Sequence, residues 1–384
     1  MKVALLSPDD RERLKTYGAV NPVVPAVEAA LLEGLVKQPE LEVHYVSCLQ
    51  QPVPAPEKLG PNIWYHALHV PKLGWMRTGY QGCIRAIRKK LRDLQPEIVH
   101  GQGAERECAL SAAYSGFPNV VTIHGNMKSI AEFYRSTIGS FHWLAGKLET
   151  VALRKTDGVF CNSAYTERVV APRTRRTWRV ANAVRAKFFN PLPAMTRCER
   201  PILLNVGMVT PHKRQLEILA VARRLWQRGC RFEMHFAGKV NADTTGGAEF
   251  LRLMAEAEAA GYARHLGELE VDALINAFDR SSALVHFPTE EAFGLVVAEA
   301  LARNLKLFGA SVGGVIDIAS GVDGAELFPL NDWAGLENAI TRWLEQGAVL
   351  PAKAATVMRE RYHPEVIAQQ HVEIYREVLG RKQG

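Results

Sequence analysis

The feature that most restricts the fold of this chain is a repeated alternation. Short runs of apolar and β-branched residues are separated by longer stretches of helical period, first over residues 2–180 and again over 202–379. This rhythm belongs to βα units, whose parallel strands form a sheet with helices on both faces. Strands are predicted at Lys2–Leu6, Glu42–Val46, Ile98–Gly101, Val120–Ile123, Gly158–Cys161 and Trp178–Val180. A second series follows at Ile202–Val206, Phe232–Ala237, Ala283–Phe287 and Leu305–Phe308. Helices fit near 23–36, 79–94, 105–115 and 140–155, then 213–228, 247–260, 270–278, 294–303, 331–344 and 363–379. Residues 49–76 contain five prolines and two glycines, show no clear period and read as an insertion loop. A proline-bearing linker, Asn190 to Arg200, separates the two series. At 384 residues the chain exceeds what one core usually supports, so two doubly wound α/β domains are expected, with the boundary near residue 190.

Composition narrows the setting. The six cysteines (Cys48, Cys83, Cys108, Cys161, Cys198 and Cys230) are scattered without a C-x-x-C pair, which suits reduced thiols and gives no structural zinc. No stretch reaches the roughly 18 apolar residues of a membrane span, so a cytoplasmic protein is expected. The net charge of +7 is uneven: residues 1–190 carry 26 Lys and Arg against 16 Asp and Glu. A basic first half suggests an anionic partner, either a phosphorylated acceptor or the inner face of a membrane contacted peripherally. Nucleic acid is not expected, because no aromatic stacking platform accompanies the charge. Residues 81–94 place Ile84, Ile87, Leu91 and Leu94 on one helical face and Arg85, Arg88, Lys89 and Arg92 on the others. Such a helix either touches anionic lipid or packs on the core with a solvated basic face. The run Arg173, Arg175, Arg176 and Arg179 poses the same choice.

The chemistry concentrates in Val285–Ala302. Here a strand ends in Pro-Thr-Glu-Glu and a helix begins near Gly294. In open α/β sheets ligands sit beyond the carboxyl ends of strands, and a helix start offers unpaired N–H groups and a positive dipole end. Glu291 precedes this helix and Glu299 lies eight positions later, inside it. Two carboxylates can hold paired hydroxyls, one set on a sugar and one on a ribose; a capping acid and an ordinary amphipathic face would give the same spacing.

The stretch Glu291-Ala292-Phe293-Gly294-Leu295-Val-Val-Ala-Glu299 resembles the E-x7-E motif of retaining GT-B glycosyltransferases, in particular glycosyltransferase family 4. Gly313-Gly314-Val-Ile-Asp317 resembles the family's Gly-Gly-x-x-Glu/Asp turn, and Asn205-Val-Gly207-Met-Val-Thr-Pro-His-Lys213-Arg214 the first strand and turn of its second domain. Tyr17-Gly18-Ala19 resembles the glycine-rich first loop, and Thr122-Ile-His124-Gly125 the Thr-x-His turn. Cys161-Asn-Ser163 and Ala181-Asn-Ala-Val184 resemble later turns of the family. The resemblance implies a GT-B fold with two Rossmann-like domains facing across a cleft. The acceptor side would lie in 1–190, nucleotide-sugar binding in 191–362, and a final helix in 363–384 would cross back to the first domain.

It further implies that Glu291 contacts the donor sugar and Glu299 the ribose, that N–H groups over Ala292, Phe293, Gly294 and Leu295 support sugar and phosphates, and that Lys213 neutralises the diphosphate. Gly18, Ala19, Gly207 and Arg214 would join the donor site, and His124 would face the hexose. The implied reaction is retaining transfer of a hexosyl unit from a nucleotide-diphosphate sugar, UDP before GDP, to a hydroxyl of a saccharide or lipid-linked acceptor. No metal or other cofactor is expected, since no Asp-x-Asp is present. One departure is Met208, where many members carry Arg; the diphosphate would then depend on Lys213, Arg214 or a first-domain side chain. A dinucleotide dehydrogenase is disfavoured because Leu6-Ser-Pro-Asp-Asp-Arg11 lacks G-x-G-x-x-G. An epimerase or a non-catalytic sugar-nucleotide-binding protein on the same fold remains the alternative.

Overall fold

The computed structural model describes residues 1–191 and 200–380; residues 192–199, with Cys198 and most of the expected linker, and residues 381–384 lie outside the described residues. The first sheet contains β1 (Lys2–Leu6), β2 (Glu42–Leu49), β3 (Lys58–Gly60), β4 (Ile63–His69), β5 (Ile98–Gln102), β6 (Asn119–Ile123), β7 (Val159–Cys161) and β8 (Thr177–Arg179). Its order is β3-β4-β2-β1-β5-β6-β7-β8. The second sheet contains β9 (Ile202–Val206), β10 (Glu233–Ala237), β11 (Ala263–Gly267), β12 (Ala283–His286), β13 (Lys306–Ala310) and β14 (Ala325–Phe328), in the order β11-β10-β9-β12-β13-β14. Pairing is parallel except where β3 runs antiparallel to β4.

In each sheet the chain builds outward on one side of its first strand and then returns to the other side. The order therefore reverses between β1 and β5 (Leu5 opposite His100) and between β9 and β12 (Leu204 opposite Leu284). At such a reversal the loops leaving the two strands diverge and leave room for a ligand.

The chain divides into Met1–Arg185 together with the stretch from Tyr362 onward, and Ala186–Arg361. The turn Ala186–Phe189, placed by the sequence in the first domain, packs with the second unit. There Arg303 Nη1 donates to the carbonyl of Asn190 at 2.6 Å, and Phe188 meets Phe278 edge-on.

The stretch 49–76 is not a plain insertion loop: β3 and β4 lie within it, and β4 pairs with β2 over seven residues from Ile63 to His69. Its prolines fall outside β4, so they do not interrupt the ladder. The mixed sequence Ile-Trp-Tyr-His-Ala-Leu-His conceals the strand alternation. Short elements also escaped the periodicity reading, including helices Met127–Phe133, Ala164–Val170 and Ala354–Tyr362 and strand β11. Gly313–Asp317, expected as a turn, opens the helix Gly313–Ala319.

In helix Gln81–Leu94, Cys83, Ile84, Ile87 and Leu91 are buried in the first unit's core, so its apolar face is occupied and its cations form a solvated face. Three of the four later arginines are matched by acids: Arg173 with Glu149, Arg176 with Glu377, and Arg179 with Glu167. Among the described residues no helix is long and apolar enough to cross a membrane.

The opposite face of the first sheet is covered by Ala26–Leu35 and the final helix, Pro364–Gly380, through Leu31, Leu35, Ile367, Val372 and Tyr375. Tyr375 Oη lies 2.6 Å from His100 Nδ1, and Thr122 Oγ1 lies 2.7 Å from His100 Nε2, joining the helix to β5 and β6. Gly34 allows the helices to close, because a Cβ there would sit 2.1 Å from the Pro364 carbonyl oxygen. Gly34→Ala is therefore expected to cost about 1–3 kcal/mol through overpacking, lowering the melting temperature and exposing the final helix to limited proteolysis. Unchanged melting and cleavage would show that the contact bears no load.

Candidate active site

The reversal between β9 and β12 brings two loops together. Lys213 lies in the turn after β9, fixed by its N–H to the Thr210 carbonyl at 3.0 Å; Glu291 lies after β12. Lys213 Nζ meets Glu291 Oε2 at 2.6 Å, and His286 Nε2 reaches the same oxygen at 3.1 Å. Both contacts use Oε2, so neither engages Oε1. Burial alone raises the Glu291 carboxyl, but the hydrogen bond from His286 and the charge of Lys213 outweigh it and hold the group far below the usual carboxylate range. Burial lowers His286 more than Glu291 restores it, so the imidazole is neutral and donates through Nε2. His286 carried no sequence signal beyond its place at a strand end. His212, from the first of the two loops, places Nδ1 2.8 Å from Thr289 Oγ1, while its carbonyl accepts from the Thr289 N–H at 2.9 Å.

Three glycines shape this corner. Gly294 precedes helix Leu295–Ala302 with φ +98° and gives no side-chain cap, so the first N–H groups keep their dipole-end character. Gly313 has φ +49°, and a Cβ on it would lie 1.8 Å from the Glu291 carbonyl oxygen. The same oxygen accepts the Gly314 N–H at 2.9 Å, so the double glycine clamps the Glu291 loop. Phe293 is buried beneath the loop, Ala292 and Leu295 are half-buried beside it, and Glu299 is buried on the helix.

The turn after β9 is tied by Gln215, which the sequence reading did not single out: its Nε2 donates to the Met208 carbonyl at 3.1 Å and its Oε1 accepts from the Thr210 N–H at 3.3 Å. Gly207 takes φ +148° and crowds Gly238, where a Cβ would lie 2.1 Å from the Gly207 carbonyl oxygen. Met208 is exposed. Arg214 sits beside Lys213 in sequence but is engaged elsewhere. It donates to the Leu330 carbonyl at 2.8 Å and to Asn331 Oδ1 at 3.1 Å, and its guanidinium carbon lies 4.4 Å from the centre of the Trp333 ring.

In the first unit, His124 directly follows β6 and Gln102 ends β5, with His124 Nε2 3.0 Å from Gln102 Oε1. Glu28 Oε1 lies 3.8 Å from His124 Nε2, and Glu105 Oε1 accepts the Gly125 N–H at 3.0 Å. The His124 carbonyl receives a long contact, 3.4 Å, from Asn162 Nδ2. Ser163 caps its helix by accepting from the Thr166 N–H. Gly18 and Ala19 are exposed in the loop after β1, and nothing lies within 4 Å of a Cβ placed on Gly18.

That loop is held from beneath by Arg11. The side chain is fully buried with Asp9, at 2.7 Å, and its Nη1 donates to the carbonyls of Ala19 at 2.6 Å and Pro54 at 2.8 Å. Tyr65 Oη donates to Asp9 Oδ2 at 2.6 Å. Burial raises the Asp9 carboxyl, but these partners lower it further, so the pair stays ionised. Among the described residues no group of three or more His, Cys, Asp or Glu is placed to hold a metal ion.

Residues 195–361 match the family model described as Glycosyl transferases group 1, and residues 29–185 match that described as Glycosyltransferase Family 4. The chain thus carries a glycosyltransferase domain of each kind. Similar solved structures include sucrose-phosphate synthase from Thermosynechococcus elongatus, 17% identical over 99% of this chain and 100% of that one, with a TM-score of 0.76. HepE from Anabaena, solved with UDP, is 14% identical over 98% and 100% with a TM-score of 0.72. A glycosyltransferase from Rickettsia africae is 14% identical over 98% of each chain with a TM-score of 0.66. At these identities the likeness is one of fold, the two-domain GT-B architecture. No curated protein matches the sequence.

Burial raises the Glu28 carboxyl to about 7. A carboxyl raised on folding contributes stability below its unfolded value of 4.5 and loses it as pH climbs through 7. Glu28→Gln removes that loss. The variant's melting temperature is expected to gain on the parent between pH 5 and pH 8, measured by calorimetry; a pH-independent difference would mean that Glu28 titrates normally.

Proposed function

We propose that the chain is a retaining, metal-independent hexosyltransferase that takes its donor from a nucleotide-diphosphate sugar, UDP-linked before GDP-linked, and transfers it to a saccharide or lipid-linked hydroxyl. The observation that carries the reading is the cluster of Lys213, Glu291 and His286 where β9 and β12 part, beside the uncapped helix start at Gly294. Lys213 would exchange its contact with Glu291 for the donor diphosphate, joined by N–H groups from Phe293 to Leu295. Glu291, still held by His286, would then accept hydrogen bonds from the hexose hydroxyls, and Glu299 from the ribose. Gly207 would let the β9 turn approach the phosphates. Gly18 and Ala19 would bring first-loop backbone to the diphosphate, and the His124 carbonyl would face the anomeric carbon.

In the transfer, the anomeric carbon–phosphate oxygen bond breaks and the acceptor oxygen bonds the same face of that carbon. The acceptor proton passes to the departing diphosphate. Negative charge grows on that leaving group, so fixed positive charge and N–H dipoles stabilise the transition state more than the ground state. HepE, solved with UDP and with UDP-glucose on the same fold, supports the choice of donor nucleotide.

Thermal shift with UDP, GDP and ADP, with and without EDTA, tests the donor. Stabilisation by one nucleotide, unchanged by EDTA, is expected. Stabilisation by none of them would contradict donor binding, and loss of the effect with EDTA would contradict metal independence. Glu291→Gln should lower kcat by about 10²–10³ and, because it leaves Lys213 without its carboxylate, also lower the melting temperature; a folded variant with near-normal kcat would remove Glu291 from the site. Lys213→Met should weaken nucleotide binding; an unaltered affinity would remove it from the diphosphate. Because Glu291 is held ionised, kcat/KM should show no acid limb from this group above pH 4.5.

A further inference from the structure

Helices Met127–Phe133 and Phe141–Lys155 of the first unit pack closely where Gly146 meets Lys128; a Cβ on Gly146 would lie 3.1 Å from Lys128 Cα. Beside this contact is a cavity of about 650 Å³. Five cations line it, Lys128, Arg135, Lys147, Arg154 and Arg173, against one lining carboxylate, Glu132, which lies 3.8 Å from Lys128. That excess of positive charge in one recess repels itself unless an anion enters.

Arg173 makes this a built site rather than a cluster of surface charges. Its Nη1 donates to Glu149 Oε1 at 2.6 Å and to Thr150 Oγ1 at 3.2 Å. Glu149 is fully buried and its other oxygen accepts the Met127 N–H at 2.7 Å, so the guanidinium is held from behind. Nη2 of the same group is buried and has no hydrogen-bond partner among the described residues. A buried charged donor without an acceptor is costly, and its planar fork matches phosphate oxygens. Trp143 adds a flat apolar wall, with Lys147 Nζ 5.5 Å from its ring centre.

We propose that this cavity binds the phosphoryl groups of a ligand carrying at least two negative charges, with Arg173 as the fixed donor and Lys147 and Arg154 as mobile ones. The site shares no residue with the donor machinery in Ala186–Arg361 and does not depend on the reading of that machinery. Between the same helices and at the start of the second, the chain exposes Ile138 (85%) and Phe141 (54%), apolar groups that suit a lipid, so the phosphate source is tested as well as the site.

The experiment uses the full chain carrying Lys213→Met, which silences the cation assigned to the donor diphosphate. Inorganic pyrophosphate is titrated by calorimetry, and vesicles of phosphatidylcholine with or without phosphatidylglycerol are used for co-sedimentation. The double substitution Lys147→Ser, Arg154→Ser, at two exposed positions, should leave melting unchanged and weaken binding about tenfold. Arg173→Lys keeps the charge, removes the fork and should also weaken binding; should it fail to fold, the double variant carries the test. Saturable pyrophosphate binding assigns a soluble phosphorylated ligand, and vesicle binding that requires phosphatidylglycerol assigns a lipid headgroup. Binding of neither, or binding untouched by the double substitution, overturns the proposal.

Discussion

Parallel pairing is the constraint from which the rest follows. A strand cannot lie parallel to its predecessor without a crossover that carries the chain back along the sheet, so every strand in such a series ends at the same edge. Loops rich in chemistry therefore collect at one edge without being neighbours in sequence. Lys213 and Glu291, 78 positions apart, come within 2.6 Å because β9 and β12 are adjacent and end together. Gln102 and His124 meet for the same reason at the ends of β5 and β6. Sheet order brings each pair to the same edge.

Glycine then determines how closely those loops can settle. Gly313 leaves room for the Glu291 backbone, Gly314 for that of Ala292 and Phe293, and Gly238 makes room for Gly207. The double glycine has a clear sequence signature, although the sequence predicts a turn where a helix opens, whereas Gly238 has no such signature. Strands buried on both faces were equally visible, since continuous apolar runs such as Val3–Leu6 and Leu203–Leu204 leave little choice. The strand β4 was hidden because its two faces carry Trp, Tyr and His, whose amphipathic rings blur the period. His286 and Gln215 were hidden for a different reason. Each acts through a contact made in three dimensions, with Glu291 and with the Met208 carbonyl respectively, and no spacing rule reports such a contact. Arg214 shows the opposite difficulty: adjacency to Lys213 suggested a shared task, yet its αL backbone, φ +59°, accompanies a guanidinium bonded to Leu330 and Asn331.

The buried arginines differ in how completely they are satisfied. Arg11 is fully enclosed, and its donors reach Asp9, Tyr65 and the carbonyls that shape the first loop. It acts as a scaffold for a glycine-bearing segment. Arg173 has the same kind of carboxylate support from Glu149 but keeps one arm unspent within a basic recess. The cost of desolvating a guanidinium is tolerable in the first case because every donor is used. In the second, the remaining donor marks where an acceptor belongs.

The return of the chain at Tyr362 makes the second unit an insertion within the first. Both junctions are closed by hydrogen bonds inside their own units. Val184 N–H donates to the Tyr362 carbonyl at 2.9 Å on one side, and Arg359 donates to the Phe189 carbonyl on the other. The ends of each unit therefore lie next to each other, the geometry in which an inserted domain can be excised and its host rejoined by a short bridge. In engineering terms the second unit has the layout of a cassette: its two ends meet, while the first sheet keeps the helix Pro364–Gly380 that completes its core.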